Sequence, residues 1–303
     1  MAGFLVALRV KGETVEELVG FARAMREMAA AIPHGIVGET LIDTCGTGGD
    51  GLSTFNISTI VAFVVAAAGV RVAKHGNRSI SSQCGSADLL EAFGVNIAMT
   101  PEECGRALRE IGIGFLFAPL VPTATGHVRP VRVALKMRTV FNLLGPLTNP
   151  AGANAQLAGA PSPHAAELIA GALAALGLER GFVVHGSDGL DEITTTGPTL
   201  AFEIRDGAVE RRTLTPADFG VEVARPEDLK GGDREANLAI ASAILDGARG
   251  SQRDIVLVNS AAALVAAGKA SGFREGMELA AKAVDSGAAR RRLDALRSFG
   301  GEA

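Results

Sequence analysis

Four short stretches of the sequence carry residue types suited to holding an anion and a metal. In Asp43-Thr44-Cys45-Gly46-Thr47-Gly48-Gly49-Asp50-Gly51, glycines follow a short apolar run. Glycines let successive backbone N–H groups face one concavity and let an anion come close. No Lys-Ser/Thr pair of a Walker A loop follows, and the spacing is not GxGxxG, so alone the stretch also reads as a tight turn. Asn56-Ile57-Ser58-Thr59 opens an apolar helix. Free N–H groups there attract anions, and hydroxyls add hydrogen bonds or hold a hydrated metal, although an ordinary helix cap uses the same residues.

The third stretch is Lys74-His75-Gly76-Asn77-Arg78-Ser79-Ile80-Ser81-Ser82, with two cations around a glycine and an amide and hydroxyls behind them. So polar a cluster directly after a buried strand is costly unless it meets a ligand. Ser86 follows, as a helix cap or a further phosphate donor. The fourth is Gly189-Leu190-Asp191-Glu192-Ile193-Thr194-Thr195-Thr196. Its adjacent carboxylates repel and favour a cation beside them, and such hard oxygen donors suit Mg2+ shared with a phosphate; an exposed acidic turn is the plainer alternative. No Ser-His-Asp order or Cys-His pair is needed. Together the stretches describe a site for a magnesium diphosphate.

These residues need a scaffold. Gly3 to Ala29 has helical spacing, with Val15, Leu18, Val19, Ala22 and Met25 on one face. Strands at Leu41–Thr44, Val70–Ala73, Phe115–Ala118, Gln156–Ala160 and Phe182–His185 alternate with helices from Asn56, Ser86, Thr100 and His164. The span Arg129–Leu144 reads as helical, and Thr199–Leu214 as a hairpin turning at Asp206-Gly207. The remainder is helical, broken at Gly231-Gly232-Asp233. Such alternation predicts an α/β fold, a mostly parallel sheet with helices on both faces, plus a small all-helical domain. Three of the four stretches follow strands, so their loops should converge beyond the carboxyl ends of the sheet.

At 303 residues and 48% apolar composition the chain can bury a large core, built without Trp or Tyr. A net charge of −4 argues against holding nucleic acid as its main task. Cys45, Cys84 and Cys104 form no metal-type cluster and read as small buried hydrophobes. The most apolar run, Ile60 to Val70, is short of the roughly 20 residues that cross a bilayer. The expectation is a soluble, cytoplasmic protein.

The segments DTCGTGGDG, NIST, KHGNRSISS, GSADLLEAFG, FNLLGPLTNP and GLDEITTTGPT, in this order, resemble the anthranilate phosphoribosyltransferases from about Phe4 to Ala288. That resemblance implies transfer of the phosphoribosyl group of phosphoribosyl diphosphate to the amine of anthranilate, in tryptophan biosynthesis. It implies donor contacts from Gly46, Gly48, Gly49, Asp50, Thr54, Asn56, Ser58, Thr59, Lys74 and Ser86. Ser58, Asp191 and Glu192 would hold two Mg2+ ions per subunit. Gly46, Asn77, Ala118, Pro119 and Arg132 would form the acceptor pocket, with the Arg132 fork on the anthranilate carboxylate. No general acid or base is assigned. The implied domains are a small helical one of residues 1–38, completed by 127–150, and a large α/β one of 39–126 and 151–303. A homodimer is implied as well.

Two departures from the family pattern stand out. Pro122 occupies the place of an acceptor-contacting His, and Gly126 that of a cation; His127 corresponds to a separate position. Family members also carry roughly one or two further helices before the segment matching Phe4. The alternatives are a related phosphoribosyltransferase using another aromatic amine, and an inactive paralogue that binds nucleic acid.

Overall fold

The structure, a computed structural model, describes residues 1–48, 52, 54–78, 83–118, 126 and 128–299. Gly49, Asp50 and Pro119 of the expected site lie outside the described residues, as do Ser79, Ser81, Ser82, Pro122 and His127.

Two helices open the chain, α1 (Ala2–Lys11) and α2 (Val15–Met28), parted at Gly12 with φ 87°. The Thr14 hydroxyl accepts from the Glu17 N–H, and the Glu17 carboxylate accepts from the Thr14 N–H. This reciprocal cap fixes where α2 begins. Strands and helices then alternate: β1 (Leu41–Gly46), α3 (Ile57–Ala67), β2 (Arg71–Gly76), α4 (Ser86–Ala92), α5 (Pro101–Glu110) and β3 (Ile113–Phe117). Short helices α6 (Arg129–Leu135) and α7 (Phe141–Leu144) precede β4 (Ala155–Gly159), α8 (Pro163–Ala175) and β5 (Arg180–Gly186). The hairpin β6 (Thr199–Arg205) and β7 (Ala208–Leu214) follows. Five helices complete the chain: α9 (Pro216–Phe219), α10 (Arg234–Leu245), α11 (Ser251–Ala266), α12 (Phe273–Asp285) and α13 (Ala288–Phe299).

The seven strands form one sheet in the order β3-β2-β1-β4-β5-β6-β7. Strands β1 to β5 run parallel to one another, while β6 pairs antiparallel with both β5 and β7. The chain leaves β1 toward β2 on one side and leaves β4 toward β5 on the other. The boundary between β1 and β4 is therefore where the strand order reverses, the place where open α/β sheets bind ligands.

Alternate residues of each strand enter different cores, as a period of two requires. Leu157, Phe182, Val184 and Ala201 join the core beneath α3, α11 and α13. Ala158, Val183 and Phe202 join the opposite core with α8, α2 and α1. Helices thus cover both faces, as the alternation predicted. The hairpin turns at Asp206 (φ 51°) and Gly207 (φ 80°), left-handed at both central positions as a two-residue turn demands.

One expected element differs. Arg129–Leu144 is two helices, because Lys136 closes α6 in the left-handed region at φ 50°. No helix among the described residues is long and apolar enough to cross a membrane. All three cysteines are buried and none forms a disulfide, and burial pushes the Cys84 thiol up to about 11 and the Cys104 thiol up to about 12.

Candidate active site

The turn after β1 is shaped by what packs against it. Thr47 N–H donates to the Gly159 carbonyl at the end of β4 (3.1 Å). Gly48, at φ 66°, turns its N–H onto Asp191 Oδ2 (2.9 Å). A Cβ at Gly46 would sit 2.5 Å from that same oxygen, and one at Gly159 would collide with the Asp191 carbonyl. Asp191 therefore rests on the junction of β1 and β4 only because both strands end in glycine.

Glu192, 8% exposed, accepts the Ser58 N–H on Oε1 (3.1 Å) from the first turn of α3. Thr44 Oγ1 donates to the Ser58 carbonyl (3.2 Å). Lys74 Nζ, on a side chain 3% exposed, donates to the Thr44 carbonyl and to Ser58 Oγ (3.4 Å). These contacts bring Gly46, Gly48, Ser58, Lys74, Asp191 and Glu192 into one cluster at the carboxyl ends of β1, β2 and β4. A buried carboxylate supports it from below. Asp43 accepts the His75 N–H (3.1 Å) and an Asn149 side-chain N–H (2.8 Å), and Asn149 also donates to the Ala73 carbonyl (2.9 Å). Burial lowers the pKa of His75 below its ordinary 6.5, with the nearby Lys74 charge in the same direction and Asp43 opposing.

Two supports of the carboxylate pair carried no sequence signal. Asn259, fully buried on α11, donates to the Ile193 carbonyl and accepts the Ile193 N–H, both at 2.9 Å. Asp188 Oδ2 accepts from Thr194 Oγ1 (2.6 Å) and Thr196 Oγ1 (2.7 Å). The hydroxyls of the threonine run thus fold the loop that presents Asp191 and Glu192.

The other expected residues fall into place unevenly. Asn56 precedes α3 without capping it; its Nδ2 donates to the Cys84 carbonyl (2.9 Å). Its Oδ1 is buried without a hydrogen-bond partner among the described residues, as are Thr47 Oγ1 and Thr59 Oγ1. Buried polar atoms nearly always have partners, and these three lie on the glycine turn and the start of α3, although other such atoms lie elsewhere in the fold. Thr54 lies in an isolated antiparallel bridge with Lys230, tying the glycine turn to the break before α10. Ser86 is the first residue of α4 rather than its cap, and its Oγ both accepts the Asn77 N–H and donates to the Asn77 carbonyl (3.1 Å each). Gly76 makes room for that contact, since a Cβ there would collide with Ser86 Oγ as well as with the Phe115 ring. Arg78 pairs with Asp88 (2.8 Å) and Glu91 (3.0 Å) on α4 and so holds the loop.

On the acceptor side, Ala118 is half-buried just beyond β3 and Asn77 is exposed. Arg132, on α6, stacks its guanidinium 5.2 Å from the Phe141 ring and forms no ion pair with a described residue. Burial lowers its pKa, yet a guanidinium stays charged. An unpaired, partly desolvated cation favours an incoming carboxylate.

The donor set also bears on a metal. Among the described residues no group of three or more His, Cys, Asp or Glu converges. Asp191 and Glu192, adjacent in one loop beside the Gly48 and Ser58 N–H groups, are hard oxygen donors of the type that suits Mg2+, which keeps waters and takes remaining ligands from substrate phosphate. They do not fit an all-protein zinc cage.

Residues 38–290 match the a/b domain of a glycosyl transferase family, and residues 1–29 match its helical bundle domain. Anthranilate phosphoribosyltransferase of Solibacter usitatus is 73% identical over 299 residues, covering 99% of this chain and 88% of the relative. The crystal structure of anthranilate phosphoribosyltransferase from Thermus thermophilus superposes with a TM-score of 0.92 at 47% identity, covering 98% of this chain and 88% of that one. The Saccharomyces cerevisiae enzyme in complex with PRPP and Mg has a TM-score of 0.88 at 28% identity, with 98% and 84% covered. With both its helical and its a/b parts matched, the chain belongs to the anthranilate phosphoribosyltransferase family.

Proposed function

We propose that the chain transfers the phosphoribosyl group of phosphoribosyl diphosphate to the amine of anthranilate and releases diphosphate. One observation carries this reading: the glycine turn, the first turn of α3, Lys74 and the Asp191–Glu192 pair meet at the β1–β4 reversal. Gly46, Gly48, Thr54, Asn56, Ser58, Thr59, Lys74 and Ser86 bind the donor, with Gly49 and Asp50 in the same turn. The buried orphan oxygens of Asn56 and Thr59 support this. Ser58, Asp191 and Glu192 hold Mg2+, two ions per subunit, which when bound neutralises charge on the departing diphosphate.

Arg132 takes the anthranilate carboxylate, and Gly46, Asn77, Ala118 and Pro119 complete that pocket. The amine lone pair forms the new bond to the ribose carbon as diphosphate leaves with the old bonding pair; an amine proton then passes to solvent. The Lys74 ammonium, beside Ser58 Oγ, opposes negative charge developing on the leaving group, and both substrates are held in a preset orientation. No side chain is assigned as general base.

The helical unit comprises residues 1–38 and 127–150, and the α/β unit 39–126 and 151–303. The chain acts in the cytoplasm as a homodimer, an association supported by exposed Phe4, Val10 and Val133 on α1 and α6. Incubation with Mg2+, phosphoribosyl diphosphate and anthranilate should extinguish anthranilate fluorescence. Donor binding without turnover, followed by turnover of another aromatic amine, would replace the acceptor; salt-sensitive binding of single-stranded DNA without turnover would replace the reaction.

A further inference from the structure

Arg138 joins the two halves of this site. It follows α6, two residues beyond the left-handed Lys136 that ends the helix. Its Nη2 donates to the Gly48 carbonyl at 2.9 Å, across 90 residues of chain. Gly48 donates its own N–H to Asp191 Oδ2. One left-handed glycine therefore contacts the metal-binding pair through its N–H and the acceptor-bearing segment through its carbonyl. Immediately after Arg138, Thr139 and Val140 are buried, and Val140 sits in the core shared with α8. Arg138 is thus held at one end by that core and at the other by the glycine turn, while Arg132 lies six positions earlier on the same segment.

We propose that Arg138 is a positioning residue for the transfer: it sets the distance and angle between the acceptor helix α6 and the donor turn by holding the Gly48 carbonyl. The inference rests on the donor and acceptor assignments above. The bond to that carbonyl can be tested by donor chemistry. A guanidinium offers several rigid donors, lysine offers a single mobile ammonium, and methionine offers no donor. Gly48 has no side chain through which another residue could replace the link.

The test compares wild type with Arg138→Met and Arg138→Lys in steady-state transfer, in calorimetric titration with magnesium phosphoribosyl diphosphate, and in thermal melts. Misplacement of reacting groups lowers kcat while leaving separate binding intact. Arg138→Met should lose about ten- to a hundredfold in kcat, with each KM and the donor Kd within about twofold of wild type. Arg138→Lys should recover part of kcat, and the melting temperatures should agree. An unchanged kcat in Arg138→Met overturns the proposal. A donor Kd weakened as much as kcat also overturns it, because Arg138 would then be a diphosphate ligand. A wild type that binds donor but turns over no anthranilate defeats the functional reading, and this inference with it.

Discussion

The proposed donor and acceptor halves of the site are built differently. On the donor side each group is held by the strands and the helices and loops packed on them: Asp43 by Asn149 and His75, Lys74 by Thr44 and Ser58, and the Asp191–Glu192 loop by Asn259 and Asp188. On the acceptor side Arg132 rides a seven-residue helix and, among the described residues, meets an aromatic face rather than an anion. Preorganisation suits the half where charge develops in the transition state, because fixed donors need no rearrangement there. A cation left without an ionic partner suits the half that only recognises and orients, since the substrate supplies the missing charge.

Breaking the donor half should have the largest effect. Asp191→Asn combined with Glu192→Gln should lower turnover on the order of 10³-fold. The amides still accept from Gly48 and Ser58, so thermal melts should stay close to wild type; turnover retained within about tenfold would separate this pair from the chemistry. On the acceptor half, Arg132→Ala should raise the anthranilate KM about 10- to 100-fold, the equivalent of roughly 1.5–3 kcal/mol for a charge-assisted bond. The KM for phosphoribosyl diphosphate should hardly move, and equal shifts in both would erase the proposed division between halves.

Asn259→Leu sharpens the claim that the donor half is held from below. It leaves both Ile193 backbone groups buried without their side-chain partner, costing about 1–3 kcal/mol in chemical denaturation. Turnover should fall with it, and an unaffected denaturation midpoint would show that the loop holds itself. The smallest effect concerns His75. Burial depresses its folded pKa, so between 6.5 and that lower value the unfolded chain binds more protons. Folding stability should therefore rise with pH through this window and be lost as pH falls through it. His75→Asn should flatten that slope in melts taken from mildly acid to neutral pH; an unaltered slope would assign it to other groups.

Much of this contrast could be read from local patterns. The glycine turn, the apolar start of α3 and the Asp191–Glu192 pair are contiguous motifs, and Thr14-x-x-Glu17 and Asp206-Gly207 carry their own geometry. Asn259 and Asn149 carry none. Each is a single amide whose partners lie 66 or 106 residues away, so only the folded sheet gives it meaning. Arg129–Leu144 misled for a related reason: a left-handed lysine leaves no mark on helical periodicity. The threonine run after the carboxylates is equally mute in sequence, and only the folded loop shows Thr194 and Thr196 donating to Asp188.

The bond between Gly48 and Asp191 spans 143 residues, and this has a kinetic consequence. Contacts so distant in sequence form only after the intervening chain has closed its loop. Isolated helices or the β1–α3 segment can regain structure early in refolding without creating a place for the diphosphate. Recovery of donor binding should therefore trail the return of helical signal, appearing only once β4 and β5 have docked beside β1.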